Sequence, residues 1–227
     1  MIECRRITKS FAGVKALDDV TCTFPRGQIS ALIGPSGAGK TLLFRHMLGL
    51  LRPDSGQVLI DRRNIFKLSE PQLQELRQHI GVLFQGPLAL FSWLSVYENV
   101  AFQFKHLQGM REPAVRAEVM PLLEEVGLAA DAAKLPEQLS VGMRSRGGFA
   151  RAVALKPSIL LLDSPDEGLD DVRLAMLREV IRKHHRAHAT TTVVITHDLQ
   201  TIFGIAFAHF DKQIDQRDLH QRRLLIL

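Results

Sequence analysis

Gly34-Pro35-Ser36-Gly37-Ala38-Gly39-Lys40-Thr41 is the stretch whose reading decides the fold. Ahead of it stands Ile29-Ser30-Ala31-Leu32-Ile33, a short apolar run fit for a buried strand. Behind it Leu42, Leu43, His46, Met47 and Leu50 recur at helical spacing. The order is strand, Gly-rich loop, helix. Glycines let the backbone curl until several N–H groups point inward, and the following helix adds the positive end of its dipole. Such a nest suits phosphate oxygens. Lys40 reaches the β- and γ-phosphates of a bound nucleotide, and the Thr41 hydroxyl suits Mg²⁺. The spacing G-x-x-x-x-G-K-[ST] therefore predicts that Gly34, Pro35, Ser36, Gly37, Ala38, Gly39, Lys40 and Thr41 bind ATP with Mg²⁺. A chance Gly-rich turn would share neither the Lys-Thr pair nor the flanking elements.

Outward from this loop the chain alternates. Val20–Phe24 and Gln57–Asp61 look like strands, and turns stand at Pro25-Arg26-Gly27 and Arg52–Gly56. A helix is expected over 69–79 and a strand over 80–84. Helical periodicity dominates from 96 to 155, as in Val115, Val119, Leu122, Leu123 and Val126. Ile159-Leu160-Leu161-Leu162 ends in Asp163 and has the look of a central parallel strand. A helix over 171–188 and a strand over 192–196 follow. This alternation predicts an α/β fold around a parallel sheet, with the helices of about 90–150 as an insertion. A carboxylate ending a buried strand beside a phosphate loop is placed to hold the Mg²⁺ hydration shell, and Asp163 meets that description.

Bulk properties set the bounds. The 227 residues, 46% hydrophobic and 23% charged, suit one soluble domain with a sizeable core. No apolar run reaches the roughly 18–20 residues of a membrane span. Met1–Arg6 lacks the apolar stretch of a signal peptide, and two cysteines make no disulfide framework, so a reducing cytoplasmic compartment is expected. The net charge of +5 admits an anionic partner or simply a surplus of solvated arginine. No basic run with interleaved aromatics points to nucleic acid. His184, His185 and His188 lack accompanying Cys or acidic ligands and read as a basic helix end rather than a metal site.

Five further motifs follow the loop. Gln85 comes after a strand, then Leu139-Ser140-Val141-Gly142-Met143, Leu160-Leu161-Leu162-Asp163, Gly168-Leu169-Asp170 and Val194-Ile195-Thr196-His197-Asp198. In this order the chain resembles the nucleotide-binding subunit of ATP-binding-cassette (ABC) transporters along most of its length. The resemblance implies a RecA-like core, an N-terminal antiparallel β-subdomain and an inserted helical subdomain. It implies Lys40, Gln85, Asp163 and His197 as the catalytic set, with Thr41, Gln85 and Asp163 around Mg²⁺. Phe11 stands where the family stacks an aromatic on adenine, though an ordinary Phe fits there too. Ser140 and Gly142 stand where the signature motif of a second subunit closes on the γ-phosphate. A transmembrane permease and a second nucleotide-binding subunit are the implied partners, at the cytoplasmic face of the inner membrane. Leu88, Leu90, Phe91, Trp93 and Leu94 after Gln85 are either the docking face for that permease or buried among the helices. The stretches Phe84–Phe91 and Val96–Phe102, with Gly142-Met143-Arg144 ending the signature, look like bacterial lipid-asymmetry ATPases. Those transport phospholipid and work with mammalian-cell-entry-type lipid-binding proteins.

The chain departs from the family pattern in three places. Ser164 occupies the position of the Glu that polarises the attacking water, and a Ser hydroxyl is no general base near neutral pH. Asp166 and Glu167 are acidic, but along a turn they are expected to point elsewhere. Losing such a base costs roughly 10²–10⁴-fold in rate. Val141 replaces the first glycine of the signature pair. No glycine follows Gly204, so residues 205–227 are expected to be remodelled or poorly ordered. The alternative to a transporter ATPase is a non-hydrolysing regulatory or assembly subunit.

Overall fold

Ile159–Leu162 runs through the middle of the molecule, and both of its faces are buried. The computed structural model describes residues 1–196 and the backbone of 225–226. Strand β1 (Ile2–Phe11) pairs antiparallel with β2 (Val14–Phe24) and with β4 (Ser55–Ile60), and β5 (Arg63–Asn64) closes that sheet in the order β2-β1-β4-β5. The second sheet has the order β6-β7-β8-β3-β9. Its strands are β3 (Ile29–Ile33), β6 (Ile80–Leu83), β7 (Ile159–Asp163), β8 (Thr191–Thr196) and β9 (Leu225–Ile226). The first four are parallel, and β9 runs antiparallel to β3.

Side-chain alternation along the parallel strands divides the interior in two. Ile159, Leu161, Val193 and Ile195 face α1 (Lys40–Met47) and the antiparallel sheet, among Leu43, Phe44 and Met47. Leu160, Leu162 and Val194 face the helices α3 (Val96–His106), α4 (Ala114–Glu125), α5 (Val141–Val153) and α6 (Asp171–His188). Ile159–Leu162, buried on both faces, therefore reads as a continuous apolar run. The remaining helix, α2 (Glu70–Gln78), leads into β6.

Most expected elements stand where periodicity put them, including the helix at Asp171–His188. Two differ. The helix after the Gly-rich loop ends at Met47, so Leu50 lies beyond it and is exposed. The strand expected over Val20–Phe24 starts earlier, at Val14. Of residues 205–227, only the strand Leu225–Ile226 is described.

Candidate phosphate-binding site

Parallel strands bring their carboxyl ends to one edge of the sheet, and ligands of α/β folds bind beyond that edge. Ile33 pairs with Thr196, Asp163 with Ile195, and Leu83 with Leu162. The Gly-rich loop, Asp163 and Gln85 therefore emerge side by side. Gly39 caps α1 with φ +88°, a left-handed backbone that glycine adopts at little cost. A Cβ there would sit 2.6 Å from Leu17 Cδ2 and 3.1 Å from Ala16 O, so β2 would have to shift to admit a side chain as well.

Lys40 folds back over the loop, and its Nζ donates to Gly34 O at 2.6 Å and Pro35 O at 2.9 Å. Burial pushes the ammonium below its ordinary pKa, against the opposing pull of Asp163. Asp163 is buried at the end of β7. Burial raises its carboxyl pKa, opposed by the Thr41 hydroxyl within hydrogen-bonding reach and by the Lys40 charge. Its Oδ1 is buried with no hydrogen-bond partner. Such an orphaned acceptor beside a threonine hydroxyl suits the water shell of a hard divalent cation. The donor set of Thr41, Asp163 and Gln85 fits Mg²⁺, and all three line one open cavity of about 320 Å³.

Arg45, Phe84, Gly86, Pro87, Leu88 and Glu167 complete the lining of that cavity. The place of Glu167 corrects the expectation that both acids after Ser164 point away. Ser164 has φ +51°, unusual for a residue with a side chain, and its carbonyl accepts from Glu167 N at 3.2 Å. This tight turn carries Glu167 back to the cavity. Asp166 does turn aside, and its Oδ2 accepts from Thr196 Oγ1 at 3.0 Å. Sequence spacing gave no sign of this, because the turn depends on the strained backbone at Ser164.

Ser140, Gly142 and Phe11 are not among the residues lining the cavity. Ser140 caps α5, its Oγ accepting from Met143 N at 3.2 Å, so the signature stretch does head a helix. Val141 is partly exposed at the first turn and packs on Gly168, where an added Cβ would lie 2.8 Å from Val141 Cβ. Phe11 is exposed at the tip of the β1–β2 hairpin, with Lys9 Nζ 5.7 Å from its ring centroid. His197 lies outside the described residues.

The apolar stretch after Gln85 splits. Leu90 is buried in the core, while Leu88 and Trp93 are 63% and 73% exposed. Phe91 stacks on Trp93 at 5.4 Å between centroids, and the Arg151 guanidinium lies 4.8 Å from the Phe91 ring centroid. Buried Asn99 fastens this loop. Its Nδ2 donates to the carbonyls of Phe91, Leu94 and Ser95, and its Oδ1 accepts from Phe91 N at 2.7 Å. Asn99 had no assigned role in the sequence, where it looks like any helical polar residue.

The sequence pattern of the ABC transporter family matches residues 17–167. The chain belongs to the ABC transporter family. The cassette is 42% identical over 198 residues to the probable ribonucleotide transport ATP-binding protein mkl of Mycobacterium leprae, covering 87% of this chain and 57% of that relative. It thus spans little more than half the length of that relative. It is 35% identical over 206 residues to the intermembrane phospholipid transport system ATP-binding protein MlaF of Escherichia coli, covering 91% of this chain and 76% of that protein. The ABC ATPase fold recurs in the dimeric cassette MJ0796, with a TM-score of 0.82 and 30% identity over 88% of this chain and 90% of that one. A second structure of MJ0796, in a post-hydrolysis state bound to ADP and Pi, gives a TM-score of 0.80 with the same identity and coverage.

Proposed function

We propose that this cassette is the ATP-binding subunit of a membrane transporter, and that it couples ATP binding and slow hydrolysis to movement of phospholipid. The observation that carries the ATP reading is the Lys40 ammonium curled over a loop that ends at the N-terminus of α1, beside buried Asp163. On nucleotide binding Lys40 exchanges two neutral carbonyl acceptors for negatively charged phosphate oxygens, so that both donor and acceptor are ionised. The backbone N–H groups of Gly37–Thr41 and the helix dipole hold the remaining phosphate charge. Thr41, Asp163 and Gln85 would hold Mg²⁺, whose chemistry is to offset charge on the β- and γ-phosphates. His197 is assigned to the γ-phosphate by its motif.

Ser140 and Gly142 do not line the cavity, which supports a composite site in which a second cassette supplies them. Leu88, which lines the cavity, and Trp93, exposed on the loop that Asn99 fastens, are the proposed contact for a permease. Among the described residues no helix is long and apolar enough to cross a membrane. The reading as a transporter subunit carries with it a place at the cytoplasmic face of the membrane. Phospholipid is favoured by the MlaF name and by the resemblance around 84–102, with lipid-binding accessory proteins as further partners. The mkl relatives, named for ribonucleotides, support a second reading of the cargo.

Equilibrium titration with Mg-ATP tests the core of this reading. Lys40→Ala is expected to weaken binding at least tenfold, by removing a charge-assisted contact worth about 1.5–3 kcal/mol. Unchanged affinity would refute it. ATP-dependent transfer of labelled phospholipid between vesicles by the intact transporter, set against uptake of labelled ribonucleotide, decides the cargo.

A further inference from the structure

Ser164 leaves the cassette without a carboxylate next to Asp163, yet a carboxylate does stand in the cavity. We propose that Glu167 orients the attacking water and accepts its proton in this chain. The inference rests on the ATP reading above and extends it to the chemical step. Three observations converge on Glu167. It lines the same cavity as Thr41, Gln85 and Asp163. It also borders a recess of about 10 Å³ shared with Ser145 and Ser164, about the room one water needs. Among the described residues its carboxylate has no hydrogen bond or ion pair, whereas that of Asp166 is held by Thr196. The turn that delivers it is built in, from the left-handed Ser164 and the bond from Glu167 N to Ser164 O. A further tie holds this turn against α5, because Ser145 Oγ donates to Pro165 O at 2.8 Å.

In the step, the water oxygen attacks the γ-phosphorus. The new P–O bond forms as the bond to the β–γ bridging oxygen breaks. ADP leaves with that electron pair, and the water proton passes to Glu167 and then to solvent.

The test uses the transporter complex purified from membranes. It measures Mg-ATP affinity and turnover for wild type, Glu167→Gln, Glu167→Asp and the double variant Ser164→Glu/Glu167→Gln. Glu167→Gln should lower kcat about 10²-fold. Its ATP affinity should stay within about threefold, and the acid limb should vanish from its pH–rate profile. Glu167→Asp should retain part of the rate. The double variant should regain turnover, because it puts a carboxylate beside Asp163 without restoring residue 167. Wild-type turnover in Glu167→Gln overturns the proposal, and so does a double variant as slow as Glu167→Gln. ATP binding by wild type with no turnover above Lys40→Ala also overturns it, while leaving the ATP-binding reading intact. Failure to bind ATP at all refutes the earlier reading first.

Discussion

At the scale of single residues, the cavity edge trades stability for ligand binding. Asp163 is buried, and one of its oxygens has no partner. Burial raises its native pKa above the unfolded value, so folding favours the protonated acid. The stability this group contributes is present below the unfolded pKa and is lost as pH rises through the raised native value. At neutral pH the ionised form is a standing cost. Asp163→Asn should therefore stabilise the nucleotide-free cassette by about 1 kcal/mol at pH 7, within the usual range for relieving a functional site. The gain should vanish near pH 3. Denaturant melts at the two pH values check this, and the variant should lose the Mg²⁺ dependence of ATP binding.

At the scale of elements, polar side chains set the ends and anchors of helices. Ser95 and Glu98 close a reciprocal cap at the start of α3, with Ser95 N donating to Glu98 Oε2 at 2.8 Å and Glu98 N to Ser95 Oγ at 3.2 Å. One turn on, Asn99 ties the Phe91–Ser95 backbone to that helix. Asn99→Leu leaves those groups unpaired in the interior and should cost about 2–3 kcal/mol. It should also speed amide hydrogen exchange across 91–95 more than elsewhere. In α6, His184 is pushed down to about 4, first by burial and then by His188, His185 and Lys156. The native ring stays neutral while the unfolded one protonates near 6.5, so stability is lost as pH falls from about 6.5 toward 4. His184→Gln should flatten that acid-side loss in a series of thermal melts.

At the scale of the whole molecule, Thr41 of the phosphate loop lines the cavity and Ser140 does not. If the ATP site is completed by a second copy, two variants should complement each other. Lys40→Ala spoils the loop of its own subunit, and Ser140→Arg spoils the site of its partner. Each homodimer should be inactive. A mixed dimer retains one intact pairing and should recover a sizeable fraction of turnover. Co-expression with distinct affinity tags and an ATPase assay on the mixed species reads this out. No recovery would argue that each subunit works with an unlike partner.

The order of strand, Gly-rich loop and helix was legible from Ile29 to Met47, because phosphate binding requires those residue types at adjacent positions. The run Ile159–Asp163 was legible for a related reason, since a strand buried on both faces must be apolar throughout. The absence of Glu at position 164 needed only the sequence. Where Glu167 points, how Asn99 fastens its loop, and which of Leu88, Leu90 and Trp93 face solvent were decided by tertiary structure. Each depends on contacts between segments far apart in the chain, or on one strained backbone angle at Ser164. Neither leaves a periodic trace in the residues themselves.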